Sequence, residues 1–156
     1  MKYPVRRTDR QITLAEAEDI LKKGLYGTLA TVSQDNSAYA VPLFYVYVDG
    51  AVYFHCAAEG HKLENIKQNN KVCFNVADDI EIIPNEFAAY YSSATVFGHA
   101  EIAEEGDKRK ALVALIEKYS PDFYKEGMEY IDKLYRVTVI CKITPYNITG
   151  KARKKQ

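Results

Sequence analysis

Residues 53–63 read YFHCAAEGHKL and join the end of an apolar strand to the start of a helix. The strand leaves through His55 and a run of small residues, and the helix begins at Gly60-His61-Lys62. A helix N-terminus favours an anion, because it carries unpaired backbone N–H groups and the positive end of the helix dipole. With the Lys62 ammonium beside it, this corner predicts a phosphate site, and the aromatic strand before it could hold a flat group that carries the phosphate.

The segments before this stretch predict a β-hairpin. Asp49-Gly50 is a strong turn signal between a strand over residues 38–48 and a strand over residues 51–57. Both faces of the first strand are apolar, which favours a closed barrel whose outer wall packs against a helix or a second subunit. Pro42 has no N–H, so it predicts an edge or bulge where neighbouring backbone groups stay free for a ligand.

The rest of the chain alternates between strand and helix patterns. Thr13 and Glu16 have the spacing of a capping box, the acidic residues 78–87 predict a loop, and Gly98 predicts a bulge. Further strands are predicted at 28–32, 71–77, 90–102 and 136–143, and helices at 13–24, 60–68, 104–119 and 127–134. The predicted fold class is α+β and mainly β, an antiparallel six-stranded small β-barrel with peripheral helices.

Length and charge limit the number of domains and the kinds of partner that we expect. A chain of 156 residues predicts a single domain over 1–150, followed by a basic C-terminal tail over 151–156. Lys plus Arg and Asp plus Glu each number 21, so we expect no nucleic acid and no membrane among the partners. The start lacks the apolar core of a secretory signal, and no run approaches the roughly 20 apolar residues of a membrane span. The expected location is cytoplasmic.

The cysteines and histidines do not form a recognisable metal or catalytic spacing. Cys56, Cys73 and Cys141 lie far apart in apolar strand-like segments, which favours reduced buried thiols over disulfides or a zinc site. The three histidines have no paired spacing either, so we predict no metal site.

Each motif also has an ordinary structural interpretation. Glycine at a helix start and a solvated lysine are common, so the Gly-His-Lys motif alone is weak evidence for a phosphate. His55 is either a core histidine or a group at the strand end that donates a proton to a bound ligand. Ser92 and Ser93 are either ordinary strand hydroxyls or hydroxyls that face a heterocycle. The sequence pattern alone leaves these pairs open.

Eight segments stand in a specific order along the chain. They are RRTDR (6–10), GTLATV (27–32), VPLFY (41–45), YFHCA (53–57), GHKLENI (60–66), NKVCF (70–74), SSATVFG (92–98) and ITGK (148–151). In this order they resemble the FMN-binding split-barrel superfamily of pyridoxamine 5'-phosphate oxidase-like proteins, and within it the nitroimidazole-resistance (Nim) branch. The resemblance spans nearly the whole chain.

The resemblance implies an antiparallel six-stranded split β-barrel over residues 1–150 and a homodimer with FMN at the subunit interface. It implies a set of residues for each part of the cofactor. These are Leu29, Ala30, Thr31, Pro42 and Leu43 for the isoalloxazine ring, His55, Cys56, Ala57, Gly60, His61 and Lys62 for the ribityl phosphate, and Ser92 and Ser93 for the flavin of the other subunit.

The Nim resemblance also implies a flavin-dependent reductase of small electrophilic compounds such as nitroimidazoles. Electrons would come from NAD(P)H or a protein donor and pass to a small-molecule acceptor, with His55 as the catalytic proton source and Tyr45 as a weaker choice. The chain lacks the Arg-rich C-terminal signature of true pyridoxamine phosphate oxidases, so vitamin B6 oxidation is not expected. The alternatives are a non-catalytic flavin-binding store or sensor, and a relative that binds heme or another cofactor on the same barrel.

Overall fold

The computed structural model describes residues 4–154, in which one seven-stranded sheet is accompanied by four α-helices. The strands are β1 (Gly27–Val32), β2 (Ala38–Leu43), β3 (Val46–Val48), β4 (Ala51–Cys56), β5 (Lys71–Ile83), β6 (Ala88–Ile102) and β7 (Val139–Arg153). The helices are α1 (Leu14–Lys23), α2 (His61–Gln68), α3 (Glu105–Tyr119) and α4 (Tyr124–Leu134).

The sheet is antiparallel throughout and has the strand order β2-β1-β5-β6-β7-β4-β3. β2 and β3 are its two edges, so the sheet does not close, which is the arrangement of a split barrel. The predicted antiparallel split barrel is therefore confirmed, but it has seven strands and not six, and the closed barrel favoured by the two apolar faces of residues 38–48 is wrong. The extra strand arises because the strand predicted over residues 38–48 breaks between β2 and β3.

A side chain of α3 causes this break. The Tyr45 N–H donates to the Tyr119 hydroxyl at 3.1 Å, and that hydroxyl lies 2.7 Å from the Tyr45 carbonyl oxygen. The backbone groups of Tyr45 are thus satisfied by a helix residue and not by a neighbouring strand. β2 and β3 can therefore leave the break in different directions and join opposite edges of the sheet.

Two segments are more extended than the sequence predicts. Residues 78–83, predicted as part of a loop, belong to β5, which pairs with β6 through a register shift between Asp78 and Glu81. The isoleucines of this segment favour a strand despite its acidic charge. β7 continues to Arg153, so residues 151–153 are not a tail, whereas residues 155–156 lie outside the described part. The predicted bulge at Gly98 is confirmed by the register shift there.

The larger core lies on one face of the sheet. α1 contributes Ala17 and Leu21 to it, and α2 contributes Leu63 and Ile66. The predicted capping box is present in α1, where the Glu16 N–H donates to Thr13 Oγ1 and the Thr13 N–H donates to Glu16 Oε2. Because α2 is anchored through its apolar face, its N-terminus is fixed relative to the end of β4.

The opposite face of β3, β4 and β7 is covered by α3 and α4. Tyr53 and Ile140 of the sheet pack with Ala111 and Leu112 of α3 and with Ile131 of α4. The expectation that a helix covers the outer wall is confirmed here. Within residues 4–154, no helix is both long enough and apolar enough to cross a membrane.

Candidate functional site

The end of β4 and the start of α2 form an open corner. β4 ends at Cys56, and Gly60 takes a φ of 135°, which favours glycine, just before α2 begins at His61. Within residues 4–154, no side chain caps this helix end, and a Cβ at Gly60 would meet no atom within 4 Å. The N–H groups of His61 and Lys62 precede the first intrahelical hydrogen bond, so they remain available to an anion.

Lys62 supplies positive charge to this corner, and its effect reaches a pair of thiols on β4 and β7. Cys56 and Cys141 are buried on neighbouring strands, with their Sγ atoms 3.8 Å apart. The hydrogen bond with Cys141 lowers the pKa of the Cys56 thiol, and the Lys62 ammonium lowers it further, against the effect of burial. The same hydrogen bond, together with burial, raises the pKa of Cys141. These two cysteines are buried as predicted, whereas Cys73 is only partly buried.

The His61 side chain is engaged by the turn between β1 and β2. Its Nε2 lies 2.8 Å from the Ser33 hydroxyl oxygen, and its ring centroid lies 4.6 Å from that of Tyr39. The first turn of α2 is thereby tied to the β1–β2 hairpin. His61 can offer its backbone N–H to an anion, while its ring already has a partner.

A buried polar cluster behind the corner was missed by sequence reasoning. Asn65 of α2 is 3% exposed, and its Nδ2 donates to Thr31 Oγ1 at 2.9 Å and to the Ser33 hydroxyl at 3.3 Å. Thr31 was predicted as a ring-lining residue, yet its side chain is buried in this cluster. The available signal was the position of Asn65 between the apolar Leu63 and Ile66 on one helix face.

The residues predicted to line a flavin ring lie on two faces of the sheet. The register between β1 and β2 puts Ala30 and Pro42 on the outer face. Leu29, Thr31 and Leu43 point to the inner face, where Leu29 is fully buried. Only the backbone of these three residues can therefore face a ligand on the outer surface.

The two predicted serines are also separated by the alternation of β6. Ser92 is buried, and its hydroxyl donates to Asp79 Oδ2 at 3.0 Å, so it fixes the irregular part of β5. Ser93 lies on the outer face together with Asn75 and Thr95, where these residues line a shallow polar groove. Ser93 is therefore the serine of this pair that is placed to meet a ligand or a second chain.

His55 is the exposed residue of β4, so the interpretation as a core histidine is wrong. Its side chain lines a cavity of about 500 Å³ between β4 and the helix pair α3 and α4. Ala57, two residues further on, is also exposed, and no described residue forms a hydrogen bond with the His55 ring. The imidazole is thus free to contact a molecule in the cavity or over the end of β4.

Comparison with known families identifies the chain. The pyridoxamine 5'-phosphate oxidase family model matches residues 13–152. The chain belongs to this family. In this pyridoxamine 5'-phosphate oxidase family member, the match runs from the N-cap of α1 to the last residues of β7 and includes all of the predicted FMN-binding residues. No curated protein matches the chain.

Solved structures share the fold at low sequence identity. A candidate 5-nitroimidazole antibiotic resistance protein from Bacteroides thetaiotaomicron is 24% identical, with a TM-score of 0.78 over 91% of this chain and 86% of that chain. A conserved hypothetical protein from Mycobacterium tuberculosis is 21% identical, with a TM-score of 0.81 over 96% of this chain and 90% of that chain. The FAD and heme binding protein from Mycobacterium smegmatis is 21% identical, with a TM-score of 0.80 over 94% of this chain and 74% of that chain. These likenesses establish the split-barrel fold.

Tyr45, the weaker choice of proton source in this family member, belongs to the core. Its side chain is fully buried, and its hydroxyl donates to the Leu21 carbonyl oxygen at 2.7 Å. Burial raises the pKa of Tyr45. A buried hydroxyl that is already hydrogen-bonded cannot deliver a proton to a molecule at the surface, so this assignment is wrong. His55 remains an exposed side chain beside the cavity that can hold a proton.

Proposed function

We propose that this protein binds FMN and uses it to reduce small electrophilic compounds. The observation that carries the proposal is the open start of α2, where the N–H groups of His61 and Lys62 have no intrahelical partner and the Lys62 ammonium acts on the nearby Cys56 thiol. This donor set fits a phosphate monoester, because charge-assisted hydrogen bonds from lysine and helix N–H groups favour its negative charge. Membership of the pyridoxamine 5'-phosphate oxidase family supports the choice of a flavin.

The residues that would bind FMN and the acceptor have distinct roles in this proposal. Lys62 and the start of α2 hold the ribityl phosphate, and the backbone of β1 and β2 around Ala30 and Pro42 faces the ring edge. His55 holds or donates a proton at its imidazole nitrogen beside the acceptor. FMN supplies the redox chemistry when it is bound, by accepting a hydride from NAD(P)H or electrons from a protein donor and passing electrons on.

The proposal includes a homodimer with the cofactor at the interface. The outer face of β1 and β2 carries small side chains, including Ala30, Ala40 and Pro42, and in the described part of the chain Ala40 and Pro42 are exposed. Small side chains let two sheets approach closely. Ser93, on the same outer face of the sheet, would reach the flavin of the partner chain in such an assembly.

Nitro compounds are the proposed acceptors, supported by the fold shared with the candidate resistance protein from Bacteroides. The test is to load the protein with FMN under anaerobic conditions, add NADH or NADPH, and then add a nitroimidazole. We expect the flavin absorbance to bleach with one of the two nucleotides and to recover with the nitroimidazole. Flavin that binds but is reduced by neither nucleotide nor by a protein donor would favour a store or sensor. Tight heme binding without FMN uptake would favour another cofactor.

A further inference from the structure

We infer that the 500 Å³ cavity beside His55 binds an uncharged, largely apolar ring compound, which serves as the electron acceptor. The inference rests on the proposed function, because the acceptor role requires a flavin nearby. The binding of such a compound is a separate property of the chain and can be measured without flavin.

The wall of the cavity is built by apolar side chains from two helices and the strand break. Its volume lies within the range of ligand sites in proteins, about 300–1,000 Å³. The apolar residues are Phe44 at the break between β2 and β3, Leu112, Leu115 and Ile116 of α3, and Ile131 and Leu134 of α4. A ring compound that fills this space would remove apolar surface from water on both sides.

Two of the five polar residues in the cavity wall are already engaged. The Tyr119 hydroxyl accepts from the Tyr45 N–H and lies 2.7 Å from the Tyr45 carbonyl oxygen. The Thr138 hydroxyl donates to the Leu134 carbonyl oxygen at 3.0 Å. Both groups therefore serve the fold, and neither needs a ligand.

The other three polar residues have unused hydrogen-bonding capacity. They are His55, Ser120 and Tyr130, and no residue within 4–154 forms a side-chain hydrogen bond with any of them. An imidazole and two hydroxyls can contact a few polar atoms, such as the oxygens of a nitro or carbonyl group. The cavity thus matches a molecule with an apolar body and a small polar edge.

Charge separates this site from the phosphate corner. None of the residues that line the cavity is Asp, Glu, Lys or Arg. A carboxylate or sulfonate would lose hydration on entry, which is unfavourable, and the cavity wall offers it no permanent opposite charge, because His55 is the one lining side chain that can carry a positive charge at all. The occupant is therefore neutral, in contrast to the anionic phosphate held by Lys62.

The experiment compares two matched probes on flavin-free protein by isothermal titration calorimetry. The probes are 1-nitronaphthalene, which is neutral, and 5-nitronaphthalene-1-sulfonate, which adds one negative charge. We expect the neutral probe to bind at least about tenfold more tightly than the sulfonate. A tenfold ratio corresponds to about 1.4 kcal/mol, which the sulfonate would lose with its hydration on entry. Equal affinities, or no binding of the neutral probe, would overturn the inference.

Substitutions in the cavity wall test whether the neutral probe binds there. Leu115→Trp fills the cavity and should abolish binding of 1-nitronaphthalene, while Leu14→Trp on the exposed side of α1 should not change it. Tyr130→Phe removes an exposed hydroxyl and should weaken binding about threefold, which provides a second measurement if Leu115→Trp does not fold. Unchanged affinity in a folded Leu115→Trp or in Tyr130→Phe would contradict the assignment.

An FMN titration of the same preparation separates the inference from the proposed function. Binding of FMN without binding of the neutral probe leaves the proposed function standing and refutes the cavity assignment. Binding of the neutral probe without any binding of FMN supports the cavity as a binding site and refutes the proposed flavin function. If FMN displaces the probe, the cavity holds the flavin ring itself, and the acceptor assignment is wrong.

Discussion

At the scale of single residues, Lys62 is the fixed cation at the open start of α2, and its field reaches the thiol of Cys56. Lys62→Ala should weaken FMN binding by about 1.5–3 kcal/mol, the usual contribution of a hydrogen bond to a charged group. The change corresponds to roughly 10- to 150-fold in Kd, measured by quenching of flavin fluorescence. Lys67→Ala, which removes an exposed lysine from the last turn of the same helix, is the matched control. Similar affinities for the two variants would refute the phosphate role of Lys62.

His55 should affect turnover and leave the fold intact. Its side chain is exposed and forms no hydrogen bond within the described residues, so His55→Ala removes no hydrogen bond of the ring. We expect an unchanged melting temperature and a loss of about 100-fold or more in the rate of acceptor reduction, as for removal of a general acid. The rate is measured by reoxidation of reduced flavin in a stopped-flow instrument. An unaltered rate would exclude proton donation by His55.

The sequence predicted individual site residues where a local pattern marks them. The Gly-His-Lys start of α2 and the exposed end of β4 follow from residues that are neighbours in the chain. The roles of Thr31 and His61 depend on Asn65 and Ser33, which lie about 30 residues away and meet them only after folding. Such contacts between distant segments have no signature in a single sequence.

At the scale of elements, Asn65 fastens α2 to β1. Asn65→Ala removes the donor to Thr31 Oγ1 and Ser33 Oγ inside a buried cluster and should lower the free energy of unfolding by about 1–3 kcal/mol. Urea unfolding of flavin-free protein measures this change. Gln68→Ala at the exposed end of the same helix should stay within about 0.5 kcal/mol of the parent. Equal effects of the two substitutions would show that the cluster does not hold the helix.

The helices, which have a regular spacing of apolar residues, were predicted close to their observed bounds. The strands whose extent depends on pairing with another strand were not. α1, α2 and α3 lie close to their predicted positions, because caps and apolar spacing are local. The acidic residues 78–83 form a strand because β6 offers a partner for them. The break between β2 and β3 follows from a contact with Tyr119, 74 residues further along the chain.

At the scale of the whole molecule, the outer face of β1 and β2, where Ala40 and Pro42 are exposed, should be buried between two copies. Light scattering of the purified protein should give twice the 17.7 kDa of one chain. Ala40→Lys, which puts a charge on that face, should shift the protein toward monomers and weaken FMN binding. Gln68→Lys, on an exposed helix end, should leave the dimer intact. A monomeric parent protein that still binds FMN would contradict the shared-interface arrangement.

The claim on which the other proposals depend is that this chain binds FMN. The most direct test is a titration of purified, flavin-free protein with FMN, followed by the quenching of flavin fluorescence. We predict saturable quenching with one FMN per chain. Flavin fluorescence that stays unchanged as protein is added in excess would contradict the claim.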